Sequence, residues 1–276
     1  MTQWHEPVAG FQYQSRRLDM SAQTQAERLT ACGIDPAIFG DEVDPAIFIG
    51  LAIHAGIDSG ISAEGNINML QRLVVHRPAR LGEALTVKGE IKSVTAVPRG
   101  QRVETDVWFE DLAGERVISC PRTSLRPQAQ AQSKSGAGDK PQPVVGDVAA
   151  LLLRDTYQLT PDRVKSYSVE GNSIHYEQEA AERAGFRAPL IGGGMGVHYL
   201  TAQMWQDRRP SFFDVSIYFR RPIFWDEAVQ VGVIEDGGNW SGMGLLKLPL
   251  RAERVGTSSE VAKVGTELSI ADYRLA

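Results

Sequence analysis

The chain has 276 residues, more than the ~150 that one domain usually holds, so two domains or one large fused unit are expected. Its 42% hydrophobic and 23% charged residues are the balance of a soluble globular protein, which excludes the disordered and membrane classes. Lys and Arg number 29 against 34 Asp and Glu, giving a net charge of −5 with no run of like charges, so nucleic acid is not an expected partner.

The chain begins Met-Thr-Gln-Trp-His, without the basic and then apolar stretch of a leader, and Cys32 and Cys120 are too few for a disulfide framework. A reducing cytoplasm is the expected location. The longest apolar runs, such as residues 46–53, are far shorter than the roughly 20 residues that span a bilayer, so no membrane crossing is expected.

In chain order, residues 21–32 form a helical pattern stopped by Gly33, and residues 46–57 form a longer apolar segment suited to a helix buried on most sides. Period-two alternation then predicts strands at 84–91, 102–109 and 116–119. Residues 127–146, PQAQAQSKSGAGDKPQPVVG, offer almost nothing to bury and are expected to be a flexible linker between an N-terminal unit, 1–126, and a C-terminal unit, 147–276. The second unit repeats the order: a short helix at 177–184 stopped by Gly185, a buried helix at 194–204, and strands at 214–219, 228–233, 244–251 and 264–270.

The two units also match residue by residue. Pro45, Ile47, Gly50 and His54 recur as Pro189, Ile191, Gly194 and His198, and Arg77, Pro78, Glu83 and Ala84 recur as Arg221, Pro222, Glu227 and Ala228, every pair 144 apart. Two separate blocks in one register imply duplication. The repeated unit, one long helix wrapped by an antiparallel sheet, is an α+β layout.

The chemistry-bearing stretch is Tyr167-Ser-Val-Glu-Gly-Asn-Ser-Ile-His-Tyr176, followed by a helix and then Gly185-Phe-Arg-Ala-Pro-Leu-Ile-Gly-Gly-Gly-Met195. It resembles the signature of MaoC-like (R)-specific enoyl-CoA hydratases: an Asp followed after one residue by Asn-Pro-Ile-His, an Ala-rich helix, Gly-Phe, and an Ile-x-His-Gly-Met turn. The resemblance implies a double hot-dog fold, with two fused hot-dog units. It places the acid/base imidazole at His175, its carboxylate partner at Glu170, and the substrate-binding positions at Asn172, Gly193 and Gly194. Here Glu170 stands for the family's Asp, Ser173 for its Pro and Gly193 for the turn His. The extra methylene of Glu170 moves its carboxylate by roughly 1.5 Å, so either the pocket is reshaped to suit it or the chemistry has changed.

Those residue types suit the reaction. Adding water across a thioester-conjugated double bond needs a base for the water, an acid for the α-carbon, and donors for the enolate-like oxygen. Free N–H groups at a helix start, with glycines that let an oxygen approach, supply the last. The resemblance therefore implies an acyl-CoA or acyl-carrier thioester as substrate. A thioesterase on the same fold and a catalytically silent acyl-thioester binding protein are the alternatives.

No HExxH, CxxC or carboxylate cluster of ligand spacing is present, so no metal or redox cofactor is indicated, and the three glycines 192–194 lack the Lys-Ser/Thr of a phosphate loop. His54 and His198 recur inside the buried helices and are expected to make structural hydrogen bonds. The N-terminal unit has no counterpart of the 170–175 motif, so its catalytic role is expected to be lost, with Phe48 and Ile49 adding apolar walls to an acyl tunnel. Arg77, Arg80, Arg220 and Arg221 either meet coenzyme A phosphates or cap strand ends. Trp205, Trp225, Phe212 and Phe213 are candidates for aromatic walls. Sheet edges of such proteins pair between copies, so a homodimer is expected.

Overall fold

The computed structural model describes residues 4–127, 145–168, 172–236, 239–248 and 268–275. A short strand β1 (Arg16–Asp19) leads into α1 (Ala22–Cys32), whose start is capped by the Ser21 hydroxyl accepting from Thr24 N–H at 3.1 Å. Gly33 ends it at φ 74°, a left-handed conformation that glycine adopts without strain. The buried helix α2 (Ile47–Asp58) follows, then β2 (Ile67–Val75), β3 (Ala84–Val97), β4 (Gly100–Glu110), β5 (Arg116–Ser119) and β6 (Arg122–Pro127).

The second half runs β7 (Leu152–Gln158), α3 (Pro161–Ser168), α4 (Gln178–Arg183), α5 (Gly193–Asp207), β8 (Phe213–Phe219), β9 (Ala228–Asp236), β10 (Asn239–Leu248) and β11 (Leu268–Leu275). Strands β1, β2, β6 and β7 and helix α3 were not among the sequence expectations. Of the expected linker, residues 128–144 lie outside the described residues; at its ends, Pro127 pairs with Gly100 in β6 and Val145 is buried. Described residues on both sides therefore reach slightly into the 127–146 interval. Residues 249–251 and 264–267 of the expected last strands also lie outside the described residues.

The repeat survives in the architecture. Strands β3 and β9 both begin on the matched alanines, Ala84 and Ala228, and β2 and β8 end on the matched positions Val75 and Phe219. These two strands pair antiparallel with Arg72 opposite Ser216, positions that are themselves 144 apart, so one strand and its own duplicate meet about a local two-fold axis. Through that pairing an eight-stranded antiparallel sheet, ordered β1-β3-β4-β5-β2-β8-β11 with β6 paired to β2 and β4, runs across both halves. A three-stranded sheet, β10-β9-β7, completes the second half. Across the seam Arg72 Nε donates to Asp214 at 2.7 Å.

Helices α2 and α5 lie inside this wrap. Every residue of α5 from Met195 to Trp205 is buried, which explains why its sequence shows no polar face. One continuous core spans both halves, from Phe48 against Phe109 at 4.8 Å between ring centres to Trp205 against Phe213 at 6.1 Å. Two expectations are corrected here. Phe48 packs into this core instead of walling a tunnel, and Trp205 and Phe213 are core residues, with Trp205 donating to Glu42 at 2.9 Å.

Candidate active site

A cavity of about 570 Å³ opens between α2, α5, β2, β6 and the segment that carries the 167–175 motif. Its walls bring together four of the expected site positions, Asn172, His175, Gly193 and Gly194. Glu170 lies outside the described residues.

His175 sits at the end of a single 3-10 turn, Ser173–His175, because the Asn172 side chain caps that turn by accepting from Ile174 N–H at 3.4 Å. Asn172 thus has a visible local role, and it is buried on the cavity wall. His175 Nδ1 lies 2.8 Å from the carbonyl of Leu190. A carbonyl only accepts, so Nδ1 carries the proton and the lone pair of the neutral ring is on Nε2. Nε2 faces the glycine turn, 3.8 Å from where a side chain on Gly192 would begin. Burial holds the pKa of His175 below the usual imidazole value, partly opposed by the Leu190 carbonyl and by the charge of Glu64. Glu64 comes from the first half and is tied to the motif by accepting from Ser173 Oγ at 2.9 Å.

Gly192, Gly193 and Gly194 form the start of α5, where the first N–H groups of a helix lack intrahelical acceptors and the dipole is positive. Two of these glycines leave little room for a side chain. A Cβ on Gly193 would lie 2.8 Å from the Phe219 ring, and one on Gly194 would lie 3.1 Å from the hydroxyl of Tyr167.

That hydroxyl is the end of a buried chain. Tyr167 Oη lies 3.0 Å from His198 Nε2, and His198 Nδ1 lies 2.6 Å from the Asp44 carboxylate, which also accepts from Thr201 Oγ1 at 2.7 Å and Ala46 N–H at 2.9 Å. Burial raises the Tyr167 pKa well above its ordinary value, so the phenol stays protonated. His198 Nε2 and the Tyr167 hydroxyl thus share one hydrogen bond beside Gly194, at the cavity end of the chain that starts on Asp44. His198 is therefore structural, as its sequence position suggested. His54, its repeat equivalent, lies instead on the cavity wall.

Apolar walls come from the first half: Ile49 within 4.0 Å of the Gly194 position, then Ile53 and Ile57 along the same face of α2. Of the four arginines singled out in the sequence, Arg77 is bound to Glu83 and Asp111, and Arg80 to Asp41, all on the surface of the first half. Arg220 and Arg221 border the cavity. Sequence reasoning missed Asp44, Asn68 and Arg122. Asp44 opens the first repeat block, where its match is Ala188, and this change from a charged to an apolar residue was the available signal. Asn68 puts its side-chain nitrogen 3.4 Å from the Gly193 position.

No family model matches this sequence, and no curated protein does. Solved structures do match its shape. HtdX from Mycobacterium tuberculosis superposes with a TM-score of 0.69 at 18% identity, over 95% of this chain and 99% of that one. A MaoC-like dehydratase from Phytophthora capsici gives 0.68 at 16% identity over 96% of each chain. A conserved protein of Mycobacterium tuberculosis described as having a double hotdog fold gives 0.59 at 13% identity, over 95% of this chain and 96% of that one. With the repeat, the wrapped helices and the shared sheet, these matches show that the chain has the double hot-dog fold, an α+β architecture.

Proposed function

We propose that the protein is a hydratase/dehydratase that reversibly adds water to a 2-enoyl thioester, giving a 3-hydroxyacyl thioester. The observation that carries this reading is His175, its Nε2 lone pair turned toward the free amides at the start of α5 inside an apolar cavity. A MaoC-like dehydratase among the structural matches supports the same reading.

In the hydration direction the water oxygen bonds to the β-carbon as the C=C bond opens, one water proton goes to the acid/base pair, and a proton from that pair goes to the α-carbon. His175 and Glu170 are that pair, holding the water between them. The thioester oxygen gathers negative charge during the step, and the amides of Gly193 and Gly194 are the donors for it, favoured by the helix dipole. Asn172 keeps His175 in place through the turn it caps.

The thioester is that of coenzyme A or a carrier protein, with Arg220 and Arg221 at the cavity edge as the charges for its phosphates. The same reading takes the protein as a cytoplasmic homodimer. The test is loss of the conjugated-thioester absorbance on incubation with 2-enoyl-CoA esters of increasing chain length. The wild-type protein consumes them, and His175→Ala lowers kcat by about 100- to 10,000-fold; full activity in that variant would remove the assignment. Release of free thiol instead of loss of the alkene would point to a thioesterase.

A further inference from the structure

Arg122 lies on β6, opposite Gln71 of β2 and Thr105 of β4, and its side chain reaches the cavity wall. It also lines a small recess with Tyr13, Ala52, Ile53 and Cys120 beneath that wall. Unlike Arg77, Arg80 and Arg187 on the surface, it makes no ion pair and no side-chain hydrogen bond among the described residues. Among the described residues, the ionisable group that acts on it is the Tyr13 phenol. The acidic groups of the strand beside it are turned to other cations, Asp106 to Arg116 and Glu104 to Arg102.

A guanidinium is always charged, and a buried charge without a counterion is costly enough that proteins pair it or neutralise it. Arg122 is partly buried and lines both the cavity and the recess, so an anion has a route to it. Ile49 lies beside Gly194, and Ile53, one turn or about 6 Å further along α2, lines both the cavity and the recess of Arg122. The guanidinium therefore stands beyond the apolar walls from the reacting carbons, where the tail of an acyl chain ends.

We propose that Arg122 binds a carboxylate at the far end of the acyl chain, so that the preferred substrate is the 2-enoyl thioester of a dicarboxylic acid and not of a fatty acid. This rests on the hydratase reading for the thioester end of the cavity. The bidentate geometry of a guanidinium suits a carboxylate, and a site built to bond a polar group discriminates strongly against a ligand that lacks it.

The test compares trans-2-hexenedioyl-CoA with trans-2-hexenoyl-CoA, which differ by a carboxylate in place of the terminal methyl. Wild-type protein should turn over the dicarboxylic ester with a kcat/KM on the order of 100-fold higher. Arg122→Met should lose or reverse that preference while melting no lower than wild type, and Arg122→Lys should keep part of it. An unchanged ratio in Arg122→Met, or a wild-type preference for the methyl-ended ester, would overturn the proposal. Calorimetric binding of the two saturated analogues, adipoyl-CoA and hexanoyl-CoA, separates it from the hydratase reading. Stronger, Arg122-dependent binding of adipoyl-CoA without turnover of either enoyl ester would sink the hydratase reading and leave the carboxylate anchor standing; equal binding would sink the anchor.

Discussion

The carboxylate of Asp44 and the imidazole of His198 meet at 2.6 Å with both side chains at 0% exposure, joining the segment before α2 to the middle of α5. The contact crosses from one half of the duplicated chain to the other, and it has no twin. The repeat equivalents of the two residues are Ala188 and His54, and no charge is left at Ala188 for the second histidine to meet. Asp44 is satisfied by donors from His198, Thr201 and Ala46. Thr201 Oγ1 keeps the Val197 and His198 carbonyls as acceptors, but Asp44→Ala leaves His198 Nδ1 and the Ala46 N–H without theirs and should cost about 1–3 kcal/mol for each. Urea unfolding checks this, and a loss below about 1 kcal/mol would mean that the seam is held by its apolar contacts alone.

Tyr167 extends the same chain to the cavity. Tyr167→Phe removes the hydroxyl bonded to His198 Nε2 and leaves a buried ring nitrogen unmet, at a cost of about 1–3 kcal/mol. The loss should shrink in the Asp44→Ala background, because without the carboxylate the ring no longer needs to hold its proton on Nδ1. A double-mutant cycle on unfolding free energies reads that coupling directly; strictly additive losses would show that the two contacts are independent.

How much of this could be read in advance depends on how local each feature is. The duplication was legible because matched residues keep one spacing of 144, and the structure places their strands in matched positions. The motif around His175 and the glycine turn was legible because both lie within one stretch of sequence. Strand β2 was missed because Ile67–Val75 passes from exposed to buried without clean alternation, so its period carries no strand signal. Arg122 was missed because Arg-Thr-Ser-Leu-Arg reads as a solvated strand end, and only its place beside Ala52 and Ile53 of α2 makes the charge a partly buried one. The Asp44–His198 pair spans 154 positions, so no local pattern could reveal it.

The depressed pKa of His175 has a definite sign for stability and for activity. The unfolded chain binds a proton at His175 near pH 6.5, whereas the folded protein resists protonation until a lower pH because the ring is desolvated. Between those two values the unfolded state carries more protons, so stability rises with pH across the window and is lost as pH falls through it. In His175→Gln that part of the pH dependence should vanish. The acidic limb of kcat/KM should likewise fall below the ordinary imidazole value, since the reaction needs the unprotonated Nε2; NMR titration of the His175 ring checks the same number. A limb at or above pH 6.5 would mean that another group controls the profile.

Gly50 and Gly193 stand in the first turns of α2 and α5, yet a side chain there meets different surroundings. At Gly50 nothing lies within 4 Å of an added Cβ, so Gly50→Ala should be neutral or stabilise the helix by about 0.5–1 kcal/mol. At Gly193 the added carbon would come 2.8 Å from the Phe219 ring, and the ring or the start of α5 must shift to admit it. The amides proposed to hold the thioester oxygen would move with it, and a displacement near 1 Å costs on the order of 100-fold in rate. Gly193→Ala should therefore lower kcat by about that factor, and Gly50→Ala, at another position on the cavity wall, supplies the comparison for stability. Steady-state kinetics of both variants beside their melting curves decide the matter. A Gly193→Ala enzyme with undiminished kcat would mean that the turn at α5 does not carry the charge that develops on the substrate, whatever else it does for the fold.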